Sequence, residues 1–243
     1  MKARRGLRSL RARRGSGCSA HGGCGGGAQL LPPREHALPT VVSRNGARLL
    51  SGPVTVALTS IAAQDGWVLE SSENSNNGGS ISATANTTSA LRVGDNNQDR
   101  QYKSIVAFDT SAIPDGATIL SATLRLRRGT VSGTNPFTTH GTCWVDVQSG
   151  GFSGSTTLQT GDFQATATAA QAATLSNAAN NETWSQATLG AAGLLAINKT
   201  GTTQLRLRFN LDDNDDNGND YLGYYSGESA TVPSRPQLVV TYQ

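Results

Sequence analysis

The sequence predicts an all-β fold: a two-sheet β-sandwich of jelly-roll type behind a disordered N-terminal tail. Three observations carry this. Short runs alternate apolar and polar residues with period two, and turn residues separate them. The composition is rich in Gly, Ser, Thr and Asn and holds a single Met. Charge divides along the chain: residues 1–50 carry ten Lys and Arg against one acid, Glu35, and the rest carries ten bases against sixteen acids. The first two favour a loop-rich extracellular module over a helical enzyme. The third assigns the basicity to the tail, which removes a nucleic-acid reading of the whole chain.

The tail does not read as a folded unit. Arg4, Arg5, Arg8, Arg11, Arg13 and Arg14 crowd its start, residues 15–27 are mostly Gly, Ser and Cys, and Pro32, Pro33 and Pro39 follow. No apolar stretch follows the basic start as a secretory signal requires. No segment is long enough to span a bilayer. The residues allow a disordered linker, a start placed too far upstream, or a basic arm for an anionic surface. Cys18 and Cys24 lack the second Cys or His pair of a zinc site. Cys143 stands alone in a strand pattern, as a small buried hydrophobe.

The β-module is expected over residues 54–243. Val54, Val56 and Leu58 alternate with Thr55, Ala57 and Thr59 as a first strand. Asp65-Gly66 turns the chain into a strand at 67–70, a polar loop fills 71–79, and a short strand covers 90–93. Residues 102–109 form a strand apolar without interruption over Ile105, Val106, Ala107 and Phe108, and so buried on both faces. Residues 118–127 give the clearest alternation, with Leu120, Ala122, Leu124 and Leu126 on the core side. A polar connection spans 129–140, a strand spans 142–148, and short strands are read at 162–166 and 182–188. Residues 189–197 make the one helix. Leu205, Leu207, Phe209 and Leu211 then alternate with polar residues, an acid loop follows, and strands at 221–225 and 236–242 close the chain.

The acid loop holds the clearest chemistry. Asp213, Asp215, Asn217, Gly218 and Asn219 match the first half of a calcium loop, D-x-D-x-N-G. Calcium takes about six to eight oxygens, and short acids on a tight turn can converge on one ion. The twelfth position is Tyr224 and not Glu, which excludes an EF-hand. Glu70, Glu73, Asp95 and Asp99 are candidates to complete the site from other loops. The bland reading is a solvated acidic turn with Arg100, Arg206 or Arg208 as charge partners. Asp213, Asp215, Asn217 and Asn219 are therefore candidate calcium ligands.

For a polysaccharide, flat aromatic faces beside amide and carboxylate groups are needed. Trp144 with Asp146, and Trp184, are the candidates; each indole either faces outward or fills a gap in the core. Catalysis has little support. His140 is the only His after residue 50, it sits in a loop, and a Cys143–His140 pair would point to opposite faces. A carboxylate pair for glycoside hydrolysis is easily found by chance among sixteen acids.

The sequence blocks 64–73, 91–95, 100–108, 119–126 and 235–240 resemble the DNRLRE-type domain family, β-sandwich modules related to carbohydrate-binding modules. Residues 135–141, 162–165 and 215–221 are similar to a large bacterial subset of it. The resemblance covers residues 54–243. It implies an extracellular, non-catalytic module, appended in other proteins to larger secreted chains, some of which bind polysaccharide. The resulting expectation is a calcium-stabilised binding module for polysaccharide or a cell-surface or matrix component, outside the cell. A structural or adhesion spacer with no small ligand is the alternative, and a polysaccharide-cleaving enzyme comes third.

Overall fold

The computed structural model describes residues 52–243, so the tail expected over 1–50, with Cys18 and Cys24, lies outside the described residues. Twelve strands follow in chain order: β1 (Val54–Thr59), β2 (Gly66–Glu70), β3 (Gly78–Ala83), β4 (Leu91–Asp95), β5 (Gln101–Asp109), β6 (Ile119–Ser132), β7 (Cys143–Ser149), β8 (Ala169–Thr174), β9 (Trp184–Thr188), β10 (Thr202–Phe209), β11 (Tyr221–Tyr224) and β12 (Gln237–Tyr242). The two α-helices, α1 (Pro136–Thr139) and α2 (Ala191–Leu195), are each about one turn long. The fold is all-β.

Every strand pairing is antiparallel, and the main path runs β1-β12-β6-β11-β4-β5-β10-β7-β8. β2 joins β5 and carries β3, and β9 joins β6. The sheet curls. Leu238 and Val240 of β12, near one end of the path, share one core with Cys143, Val145 and Val147 of β7, near the other. β6 makes the curl. Its first half pairs with β12 and β9, and its last residues pair with β11.

Alternation explains the core. Ala122, Leu124 and Leu126 of β6 and Leu205, Leu207 and Phe209 of β10 are buried in it, as period two requires. Two expected core residues are not there. Leu120 is 41% exposed because the ladder skips it: Thr241 pairs with Ser121 and Tyr242 with Ile119. That bulge turns Ile119 toward the core in its place. Leu211 is also exposed, because β10 stops at Phe209.

A second, smaller core lies on the other side of β2 and β5. Val68 and Ile105 pack there against Phe152, Leu158 and Phe163. β5 therefore buries both faces, as its unbroken apolar run predicts. The strand expected at 162–166 is absent. A 3₁₀ turn, Thr160–Phe163, takes its place, capped by reciprocal bonds between Gln159 and Asp162. β3 begins in the expected polar loop at 71–79 and runs beyond it, and β8 lies where no strand is expected. Asp65 locks β2 to its surroundings. Its carboxyl accepts from Ser60 Oγ (2.6 Å) and from the backbone of Ala107 (3.0 Å) and Gly227 (3.0 Å), and burial pushes its pKa up to about 7.

Candidate functional site

Three charged or aromatic constellations stand out: the acid loop, a cationic row across β7, β10 and β5, and two arginine–aromatic stacks.

The acid loop spends its oxygens on backbone N–H groups. Asp213 Oδ1 accepts from Asp215 N (3.2 Å) and Asp216 Oδ1 from Gly218 N (2.6 Å). Asp99 Oδ1 accepts from Asn217 N (3.0 Å), Asp95 Oδ1 from Asp220 N (3.0 Å) and Asn219 Oδ1 from Asn97 N (3.2 Å). Asp220, itself buried, accepts from Thr134 N (2.6 Å) and Asn214 Nδ2 (3.0 Å). The loop is thus stitched to the 95–99 turn and to the end of β6. Asp215 and Asn217 take left-handed backbone angles, φ 56° and 55°, which short polar side chains tolerate. Gly133, at φ 64°, sits where a Cβ would come within 1.9 Å of Asn219 O.

The four candidate calcium ligands therefore divide. Asp213 is half-buried and Asp215, Asn217 and Asn219 are exposed; the side chains of Asp213 and Asn219 accept from backbone N–H groups, those of Asp215 and Asn217 do not. Among the described residues no three His, Cys, Asp or Glu side chains gather as a ligand set. Crowding remains: burial, then the neighbouring Asp212, Asp215 and Asp99, push the Asp213 carboxyl up to about 6. The arginines proposed as charge partners lie elsewhere. Arg206 and Arg208 pair with Asp146, and Arg100 bonds to Ser71 O and to Gln98. His140 braces the loop's base. It is fully buried, with Nε2 at 3.4 Å from Asp95 Oδ2, Nδ1 at 2.7 Å from Thr139 Oγ1 and its ring edge-on to Phe209.

The cationic row is built from register. Arg206 pairs with Asp146, and Arg208 pairs with Trp144, across β10 and β7. Residues two apart on a strand share a face, so all four project to the side away from the main core. Asp146 is wholly buried and accepts from both guanidiniums. Oδ2 takes Arg206 Nε (3.1 Å), Arg206 Nη2 (2.8 Å) and Arg208 Nε (2.9 Å), and Oδ1 takes Gln171 N (2.9 Å). Burial would raise its pKa, but the bonds from Arg208 and Gln171 and the charge of Arg206 hold it below the usual carboxylate range. Asp146 is thus an internal counter-ion, buried and shared by the two guanidiniums.

Arg206 is a staple. Its Nη1 donates to Asp162 O and Ala165 O (2.8 Å each), and its guanidinium lies over Phe152, which pins the 152–165 segment onto the sheet. Arg208 is different: its side chain is 22% exposed beside the half-buried Trp144. Lys103 on β5 completes the row, one step beyond the Leu207–Ser104 pair. Its Nζ lies 3.6 Å from the Phe163 ring centroid and donates to Phe163 O (3.2 Å). Burial first, then Arg206 and Arg208, push this amine down to about 7 against the pull of Glu70 and Asp146.

Neither candidate tryptophan is in the core. Trp184 lies on β9 with Arg125 stacked 4.6 Å from its ring centroid. It is not brought to Trp144, because β9 pairs only with β6. A third cluster holds Arg92 between Trp67, Tyr102 and Tyr221, at 5.4, 5.5 and 4.9 Å from the three ring centroids. Lys103 escapes the sequence reading because it lies at the polar start of β5, ahead of the apolar run at 105–108. Arg206 and Arg208 are visible as the polar face of β10, but not their shared partner.

No protein-family model matches the chain, and no curated protein matches it. Among the described residues no helix is long and apolar enough to cross a membrane.

Proposed function

We propose that the protein is a non-catalytic, extracellular binding module for an acidic polysaccharide of a cell surface or matrix, read by the Trp144–Arg208–Lys103 row. The observation behind this reading is charge geometry: Arg206, Arg208 and Lys103 converge where, among the described residues, Asp146 is the only carboxylate that bonds to either guanidinium. Arg206 is consumed internally. That leaves a partly exposed guanidinium and a half-buried amine beside an indole. Guanidinium matches a carboxylate or sulfate in two-pronged geometry, and an indole offers an apolar face to a sugar ring.

The same reading takes the curled sheet as two packed layers, β1-β12-β6-β9 over the β5-β10-β7 side, in the manner of a jelly-roll sandwich. A calcium ion at the acid loop belongs to the proposal with one observation for it, the crowding at Asp213, and one against it, the commitment of the oxygens to N–H groups. A spacer without ligand is the second reading. It is favoured by the outer face of β1, β12, β6 and β9, where Thr55 and Thr241, and Thr123 and Thr188, bond to each other through their hydroxyls (2.9 and 3.1 Å).

Gel-retardation electrophoresis with uronate, sulfated and neutral polysaccharides tests the choice. Retardation by the charged polymers, weakened by Arg208→Gln and by Trp144→Ala with both variants still folded, is expected. No retardation by any polymer would leave the spacer, and retardation that neither variant weakens would remove the Trp144–Arg208–Lys103 row as the reading surface.

A further inference from the structure

Resting on that reading, we propose that Lys103 is the residue that selects for anionic groups on this face, and that it takes up a proton as the anion binds. Three features of the cluster lead there. Lys103 Nζ has no ion-pair partner within 4 Å among the described residues. Its one hydrogen-bond partner is a carbonyl, Phe163 O, and its other neighbour is the Phe163 ring. Two guanidiniums, Arg206 and Arg208, stand on the adjacent strand.

The groups facing it from each side are therefore known. β10 contributes the two arginines, and β7 contributes Asp146, already shared by both. β2 contributes Glu70, whose carboxylate accepts from Asn76 N (2.6 Å) and Gln101 N (3.3 Å). The 152–165 segment contributes Asp162, which faces Arg206 and is itself raised by burial. An ammonium here is desolvated, repelled by like charges and short of a counter-ion. The amine accordingly sits near 7 and not near 10.

An incoming carboxylate or sulfate supplies the missing counter-ion. It favours the ammonium, so binding and protonation are linked. Above the free amine's pKa, each further pH unit then weakens binding by up to about tenfold, because a proton must be bought from solution. A neutral glycan has no such slope. Arg208 contributes a guanidinium to the face; Lys103 adds its full charge when an anion is present.

The test has two arms. In the first, the side-chain carbon shifts of lysine in the free, full-length protein are followed by NMR from pH 5 to 11, then repeated in 50–100 mM sulfate. One lysine titrating near neutrality, absent in Lys103→Arg and moved upward by sulfate more than by matched chloride, is expected. Ordinary titration of Lys103 overturns the proposal whatever the glycan result. In the second, affinity for a uronate oligosaccharide is measured by calorimetry between pH 6 and 9. Wild type should lose affinity above pH 7 and take up about one proton per site, and Lys103→Arg should bind with a flat pH profile. Binding that is equally flat in both proteins overturns the proton linkage while leaving the module's binding role intact. Absence of binding to any charged or neutral oligosaccharide, with the lysine titrating as expected, overturns the glycan reading and leaves the anion site, read by sulfate alone.

Discussion

The acid loop and the cationic row are both dense in charge, and they use it in opposite ways. In the loop, Asp95, Asp99, Asp213, Asp216 and Asp220 each accept from a backbone N–H, so the charges shape the chain that carries them. In the row, two guanidiniums and an amine from different strands meet around one carboxylate, so charge is left over. Charges adjacent in sequence are readily absorbed by local turns. Charges brought together by strand pairing have no local backbone to satisfy, and their excess is available to a ligand. Conspicuousness along the chain is a poor guide to convergence in space.

The hardest blow to this comparison falls on Asp146. Asp146→Asn removes the carboxylate that Arg206 and Arg208 share and should cost about 3–5 kcal/mol, as breaking a buried ion pair does. Arg208 is partly hydrated, which places the loss toward the lower end. Thermal melting should show a drop of about 6 °C or more for a domain of this size. A change of a degree or less would mean that the row carries no strain of excess charge, and the binding proposal would lose its basis.

A smaller effect separates two aspartates of the loop. Asp220 is buried and holds Thr134 N; Asp216 is exposed and holds Gly218 N. Asp220→Ala removes a buried carboxylate that holds both Thr134 N and Asn214 Nδ2 and should cost about 1–3 kcal/mol, as lost hydrogen bonds to a charged group do. Asp216→Ala should stay within about 0.5 kcal/mol, since water replaces the lost acceptor. Equal losses in denaturant titrations would show that the loop's bonds do not depend on burial.

Much of the fold was legible because period two survives folding. The alternation at Leu205, Leu207 and Phe209, and at Ala122, Leu124 and Leu126, puts these residues in the core. Leu120 misled because a bulge is a property of the pair, and Tyr242 lies far away in sequence. β3 was missed because Gly78–Ala83 is a Gly- and Ser-rich edge strand whose apolar residues are only Ile81 and Ala83. In the site, the alternation left Trp144 open to an outward or a core-filling place beside Asp146, and the guanidiniums that consume Asp146 come from residues about 60 positions away. Nothing in the alternation of β5 marks Lys103 as one of their neighbours.

The finest discrimination concerns what the loop's leftover repulsion responds to. The Asp213 carboxyl is raised to about 6 in the folded protein, above its ordinary value. Its stabilising contribution is therefore present below about pH 4 and is lost as pH rises through about 6. Asp65 acts with the same sign up to about 7, so wild-type pH dependence alone cannot isolate the loop. The difference between wild type and Asp213→Asn can. The variant should melt slightly higher at pH 7, and the gap should close by pH 4. Calcium sharpens the point. A site using Asp213, Asp215, Asn217 and Asn219 would gain RT ln(1 + [Ca]/Kd), about 2.7 kcal/mol at a hundredfold excess over Kd. Magnesium would do less, because it demands a stricter octahedron. Screening alone predicts that calcium, magnesium and sodium chloride act alike at matched ionic strength, and that each narrows the gap between wild type and Asp213→Asn. The oxygens turned toward N–H groups favour the second outcome. A calcium-specific rise in melting temperature that Asp215→Asn removes would instead show that the loop reopens around an ion, and the contrast between spent and available charge would then fail at the loop.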